Sequence, residues 1–302
     1  RRDGGGCMAE GKIIKALSGF YYVKNREDGE IYQCRGRGVF RKRKITPLVG
    51  DHVEFQKENG REGYILDIGE RKNELVRPPI ANVDQAVLVF SAKEPAFSTL
   101  LLDRFLVPIE KNLIRPLILI TKCDLLGADE KEKLLETLAV YRQIGYPVML
   151  SSAKAGEGAD ALLSALKGKI TVFCGQSGVG KTSILNRLDP ALGLKTNEIS
   201  THLGRGKHTT RHVELLPVGG GLVADTPGFS SLDFNSVELT ELGDNFPEIS
   251  EKAAGCKFRG CLHENEPHCA VKAALAEGEI ASFRYSHYIQ FLQEIKNRKP
   301  RY

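Results

Sequence analysis

Apolar residues between positions 11 and 68 come in short runs separated by glycine-bearing turns. The runs fall at 11–17, 19–23, 31–34, 38–40, 51–55 and 63–68, with a turn at Glu27-Asp28-Gly29-Glu30. Five short strands drawn from these runs, at a spacing of roughly ten residues, predict a small barrel. Around residues 73–83 the pattern changes, and Pro78-Pro79 marks a linker. Beyond it, buried-type strands at 86–90, 117–120, 148–150 and 170–174 alternate with helical stretches at 99–112, 129–144 and 159–166. That alternation implies βαβ units and a mainly parallel sheet. Apolar residues at helical spacing continue over 183–188. Residues 195–211 fit neither period and are long enough to suggest a functional loop. Strands at 213–218 and 221–224 flank a triple-glycine turn, and the pattern is helical from residue 235 onward.

The 302 residues suit about two domains or three small ones. A hydrophobic content of 41% with 27% charge is that of a globular chain burying real cores. No stretch approaches the apolar length of a membrane span, and no secretory signal is visible. The expected setting is the cytoplasm. Residues 1–7 precede Met8, read as an added remnant or a disordered start, and carry no fold expectation. The net charge of +5 is unevenly spread: Arg35, Arg37, Arg41, Lys42, Arg43 and Lys44 fall within ten residues that hold no acid. Of seven cysteines, three lie within fourteen residues near a histidine, which suggests a metal site rather than a disulfide framework.

The chemistry centres on Gly175, Gln176, Ser177, Gly178, Val179, Gly180, Lys181 and Thr182, a G-x-x-x-x-G-K-T phosphate loop with Ser183 beside it. Its backbone N–H groups can close around a di- or triphosphate, Lys181 can neutralise β/γ oxygens, and Thr182 offers a hydroxyl to Mg²⁺. An apolar strand before it and a helical pattern after it supply the required context. Thr121, Lys122, Cys123 and Asp124 follow the strand at 117–120. A carboxylate there can accept from both N1–H and the exocyclic amine of guanine, a donor pair adenine lacks. Lys122 can lie along the base and brace the phosphate loop. Ser152, Ala153 and Lys154 follow another strand, and the Ala153 N–H could donate to guanine O6. Asp225 opens D-T-P-G after a third strand; it can hold Mg²⁺ through water, and the Gly228 N–H can reach the γ-phosphate. Each tetrapeptide alone is weak. Three at strand C-termini in one α/β segment point to a guanine nucleotide.

The motif order is unusual. Base-reading motifs come first, then the phosphate loop, then D-T-P-G, a circular permutation of the ordinary GTPase order. The segment after Gly228 therefore leads into the cysteine-bearing region, so loss of the phosphate is expected to reach that region as an order–disorder switch. There, Cys256, Cys261, His263 and Cys269 supply a Cys₃His set suited to tetrahedral Zn²⁺. Buried core cysteines or a redox pair are the alternatives, and His268 could compete as a ligand. Cys34, Cys123 and Cys174 read as small core residues. The basic run at 35–44 could be a solvated loop, but on an oligonucleotide-binding type of barrel it suggests RNA contact. Tyr21, Tyr22, Tyr32 and Phe40 are candidate stacking partners, and Lys296, Arg298, Lys299 and Arg301 candidate phosphate contacts.

From about residue 11 to its end, the chain resembles the circularly permuted GTPases that assist small ribosomal subunit assembly, the RsgA family. The resemblance implies a multidomain α/β protein: an N-terminal OB-type β-barrel at 8–75, a central circularly permuted P-loop GTPase domain at 80–234, and a C-terminal helical zinc-binding domain at 235–302. It also implies GTP and GDP, Mg²⁺ and Zn²⁺ as ligands, and activation on the small ribosomal subunit and its ribosomal RNA. A monomer away from membranes is expected. Two departures stand out. Thr121 occupies a position where GTPases commonly carry Asn, which weakens one brace to the phosphate loop. Phe229 follows D-T-P-G where Ras-type enzymes place a water-orienting Gln. His208 is therefore the candidate for placing water, with a mobile-loop role as the bland alternative, and Thr209 or Thr210 would join the Mg²⁺ site. An RNA-binding scaffold and an ATP-using P-loop kinase are the rival readings.

Overall fold

The computed structural model describes residues 7–38, 40, 44–76, 78–152, 158–194, 213–225 and 234–298, apart from the side chains of Asn59 and Asp225. The chain divides into two compact units. One is drawn from Arg1–Gln85, Ala159–Phe173 and Thr182–Phe229, the other from Ala86–Gly158, Cys174–Lys181 and Ser230–Tyr302.

The first unit is built on a closed barrel of β1 (Met8–Leu17), β2 (Phe20–Asn25), β3 (Ile31–Gly36), β4 (His52–Lys57) and β5 (Glu62–Ile68). β1 pairs antiparallel with both β2 and β4, and a parallel β3–β5 pairing closes the ring. Alternating side chains point inward, so Ile13, Val23, Cys34, Phe55 and Ile65 are wholly buried. A Cβ at Gly11 would lie 2.4 Å from Val23 Cγ1, so the small residue lets β2 and β4 crowd against β1.

Two expectations fail here. Gly38 and Phe40 have helical rather than extended backbone. The Phe40 N–H bonds the Arg37 carbonyl at 3.1 Å, and its ring is buried, so it serves the core and not stacking. The stretch read as a linker is instead a hairpin, β6 (Glu74–Val76) and β7 (Pro79–Ala81). Ile80 is fully buried and bridges to Val49, while Asn73 closes the hairpin base through two 2.8 Å bonds to the Val83 backbone. Side-chain amides replace ladder bonds that so short a strand pair cannot make.

In chain order there follow β8 (Gln85–Ser91), α1 (Thr99–Lys111), β9 (Arg115–Thr121), α2 (Ala128–Ile144), β10 (Val148–Leu150), α3 (Ala159–Leu166), β11 (Ile170–Cys174) and α4 (Lys181–Leu188). Then come β12 (Glu214–Val218), β13 (Gly221–Asp225), α5 (Pro247–Ala253), α6 (Ala270–Ala276) and α7 (Ser282–Lys296). In the first unit β11 runs parallel to β13, which forms an antiparallel hairpin with β12. Lys15 of β1 pairs with Glu214 of β12 in register and as a 3.2 Å ion pair. In the second unit β10, β9 and β8 lie in that order, with β9 and β10 parallel. β8 and β11 are buried along their whole length, which is why they read as continuous apolar runs.

The second unit also contains the helical C-terminal region. Phe246, Ile249, Val271, Phe291 and Leu292 form its core together with Val107 of α1. Arg104 of α1 donates to both oxygens of Glu294 at 2.9 and 2.5 Å and lies over the rings of Phe234 and Phe291. Residues 195–212, where the polar loop was expected, lie outside the described residues.

Candidate functional site

The phosphate loop leaves β11 at Gly175, whose φ of 151° and location make any side chain costly. A Cβ there would stand 2.2 Å from the Val89 carbonyl oxygen of β8. The loop folds back on Lys181, whose ammonium donates to the carbonyls of Gly175 at 2.5 Å and Gln176 at 2.6 Å. Burial lowers the pKa of this amine. Among the described residues its hydrogen bonds go to carbonyls of the glycine loop, an arrangement that fits an incoming polyphosphate. Gln176 is half-buried, Ser177 and Gly178 are exposed, and Val179 is buried. Thr182 is buried in the first turn of α4, with Ser183 exposed beside it.

The base-reading turn is fastened to that loop. Thr121, at the end of β9, donates its hydroxyl to the Val179 carbonyl at 2.7 Å. Lys122 takes a left-handed φ of 56° and donates to the Gly178 carbonyl at 3.0 Å and to the Glu94 carbonyl. Thr121 thus makes the brace directly despite its shorter side chain. Cys123–Leu125 form one 3₁₀ turn that leaves Asp124 exposed. The Ser152 hydroxyl, itself buried, donates to Asp124 Oδ1 at 3.1 Å and fixes one carboxylate oxygen. Asp225 ends β13, paired with Glu214. Ala153, Lys154, His208, Thr209, Thr210 and Gly228 lie outside the described residues.

The four metal-ligand candidates converge. Cys256, Cys261, His263 and Cys269 bring one donor atom each to within 4.8 Å of one another. A tetrahedral zinc ion would set donor–donor edges of about 3.6–3.8 Å. Here Cys256 Sγ lies 3.9 Å from Cys269 Sγ, and His263 Nδ1 lies 3.6 and 3.4 Å from those two sulfurs. The donor set therefore fits the ion, and His268 is not part of it. Burial and the neighbouring Cys269 push the Cys261 thiol up to about 12, so an ion that takes its thiolate would relieve a crowded donor set. The knuckle is held from outside by α7: Tyr285 donates to the His263 carbonyl at 2.6 Å and Tyr288 to that of Leu262 at 2.8 Å. Glu266 accepts three backbone N–H bonds, from Leu262, Glu264 and Asn265, which lock the turn behind the ligands.

On the barrel, Arg35 is exposed on β3 with its guanidinium 5.0 Å over the Phe20 ring, Arg37 donates to Gln56, and Lys44 is exposed. Arg41, Lys42 and Arg43 lie outside the described residues. Tyr21, Tyr22 and Tyr32 are half-buried. Cys34 and Cys174 are buried, as expected of core residues, and Cys123 is half-buried. Among the described residues no helix is long and apolar enough to cross a membrane. Absent from the sequence expectations is Ser91-Ala92-Lys93, a second Ser-Ala-Lys run after a strand, which contacts the base-reading turn. Its signal was the motif itself.

The family described as RsgA GTPase matches residues 68–235, more than half the chain, and the RsgA N-terminal domain matches residues 10–65. The chain belongs to the RsgA GTPase family. It is 64% identical over 296 residues to the small ribosomal subunit biogenesis GTPase RsgA of Bacillus velezensis, covering 98% of this chain and 100% of that one. The Bacillus subtilis protein of the same name is 61% identical over 298 residues, with the same coverage. Among solved structures, YloQ, described as a circularly permuted GTPase, is 54% identical with a TM-score of 0.84 and full coverage of both chains. YjeQ from Thermotoga maritima is 38% identical with a TM-score of 0.86, covering 97% of this chain and 100% of that one. The expected permuted GTPase fold with an N-terminal barrel and a helical Cys/His-bearing C-terminus is thereby borne out.

Proposed function

We propose that this chain hydrolyses GTP to GDP and phosphate during maturation of the small ribosomal subunit and is stimulated by that subunit. The observation that carries the reading is the fastening of Thr121 and Lys122 onto the phosphate loop, because it holds a guanine-reading carboxylate at a fixed distance from a polyphosphate cradle. The functional divisions are the barrel at 8–75, the permuted GTPase segment at 80–234 and the zinc-bearing helices at 235–302.

Asp124 accepts from the guanine N1–H and amine, with Lys122 along the base and the Ser152–Lys154 turn on the O6 side. Residues 175–183 wrap the phosphates. Lys181 exchanges the carbonyls of Gly175 and Gln176 for β/γ oxygens, and the arriving anion restores the proton affinity that burial lowers. Thr182 and Asp225, with Thr209 or Thr210, would hold Mg²⁺, which when bound supplies neutralisation of developing phosphate charge. Gly228 is assigned to the γ-phosphate and His208 to placing the attacking water, so the basal rate is slow until a partner orders that loop. Cys256, Cys261, His263 and Cys269 would hold Zn²⁺; four protein donors leave no open position, so its contribution is a structural cross-link. Arg35, Arg37, Arg41, Lys42, Arg43 and Lys44 face ribosomal RNA. The partner places the reaction in the cytoplasm, with the protein acting as a monomer.

Phosphate release measured with and without purified small subunits tests this. A rise of at least about tenfold is expected, in the direction set by activators that complete a GTPase site. No stimulation would favour an RNA-binding scaffold that uses nucleotide only for its shape. The zinc assignment has its own readout. Cys269→Ser should reduce bound zinc from one equivalent to none and lower the Tm by about 3–5 °C, as a loss of roughly 2–3 kcal/mol would in a chain of this size. Zinc analysis beside a thermal melt decides it.

A further inference from the structure

Ser91-Ala92-Lys93 repeats the Ser-Ala-Lys of residues 152–154 but is used differently. Its Ala92 N–H is already committed to the Thr121 carbonyl at 2.9 Å, so it has no amide to offer a base. Ser91 is buried, and its hydroxyl accepts from the N–H groups of Lys93 at 3.3 Å and Glu94 at 3.0 Å, which curls the chain into a tight turn. That turn aims two groups at the loop carrying Asp124. The Glu94 carbonyl accepts from Lys122 at the entry to the loop. The Lys93 ammonium reaches the Leu125 carbonyl at 3.4 Å and both oxygens of Glu130, at 3.3 and 3.1 Å. Glu130 in turn accepts the Gly127 N–H at 2.9 Å, so the grip extends to the loop's exit.

The loop needs such help. Among the described residues, the backbone bonds within it run from the Leu125 N–H to the Lys122 carbonyl at 3.1 Å and from the Leu126 N–H to the Cys123 carbonyl at 3.4 Å. Two-point acceptance from a base demands that both carboxylate oxygens lie in the plane of the ring, and a loosely held turn forfeits the second bond first.

We propose that Lys93 is a positioning residue for guanine recognition: by clamping the turn that carries Asp124, it sets the discrimination between guanine and purines that lack the exocyclic amine. The proposal rests on the reading of Asp124 given above. It accounts for why a lysine with 43% of its side chain exposed is held by three acceptors of one loop and its following helix.

The test is the ratio of GDP to IDP affinity in the full-length chain, measured by calorimetry for the parent, Lys93→Ala, Lys93→Arg and Asp124→Asn. In Lys93→Ala the ratio should fall about three- to fivefold, the range open to a partly exposed charged clamp, because GDP weakens while IDP scarcely changes. Lys93→Arg should restore most of it. An unchanged ratio, or equal weakening of both nucleotides, overturns the proposal and leaves the reading of Asp124 intact. Parent and Asp124→Asn chains that separate GDP from IDP equally well would overturn both.

Discussion

Replacing Arg284 by alanine is expected to destabilise the protein by about 3–5 kcal/mol, the cost of stranding buried charge by removing its partner. Arg284 has 1% of its side chain exposed, and Asp103 has none. Its guanidinium donates to Asp103 Oδ1 at 2.6 Å and to both oxygens of Glu248 at 2.6 and 3.0 Å, and it lies 4.5 Å over the Phe246 ring. Asp103 also accepts from the Tyr141 hydroxyl at 2.7 Å and contacts His287 Nδ1 at 2.5 Å. Burial works against the arginine's charge, but Asp103 and Glu248 outweigh it and hold its pKa above the ordinary value. Alanine would leave two carboxylates without their shared cation, Asp103 keeping the Tyr141 hydroxyl and the His287 contact. Lysine should recover part of the loss, since it keeps charge without the planar fork. Denaturant unfolding of the two variants measures this, and a loss below about 1 kcal/mol for alanine would mean that the site hydrates easily.

Asp124→Asn is expected to weaken GDP binding by at least about a hundredfold and to create affinity for XDP of comparable size. The carboxylate accepts two donors from guanine, whereas an amide offers one acceptor and one donor, which complements the N1–H and C2 carbonyl of xanthine. The Ser152 hydroxyl that now donates to Asp124 Oδ1 can donate equally to an amide oxygen, which should keep the side chain in place. Titration of both nucleotides against parent and variant gives the answer. Equal GDP binding in the two chains would remove Asp124 from the site, and preference for an adenine nucleotide in the parent would support the kinase reading.

Much of this architecture could be read from residue order because its signals are local. The phosphate loop, the Thr121–Asp124 turn and the Cys₃His spacing each specify backbone shape and donor chemistry within a few positions. Strands β8 and β11 announced themselves by uninterrupted apolar runs. The hairpin at 74–81 escaped because three-residue strands give no period to detect and two prolines resemble a break. Phe40 was misassigned since a two-residue apolar run after a glycine suits a strand or a helical turn equally. The Arg284 network was invisible for a different reason. Asp103 and Arg284 are 181 positions apart, and each looks like an ordinary polar residue on an amphipathic helix until α1 and α7 meet. Lys93 was hidden by its own motif, since Ser-Ala-Lys also occurs where the guanine base was expected.

Strand β1 is zipped to β2 along one side and to β4 along the other. Trimming the chain past Met8 would therefore unmask two rows of backbone donors and acceptors together, each a template for a stray strand from another molecule. Tags and fusions are better joined ahead of that residue, where they leave the ring of strands whole.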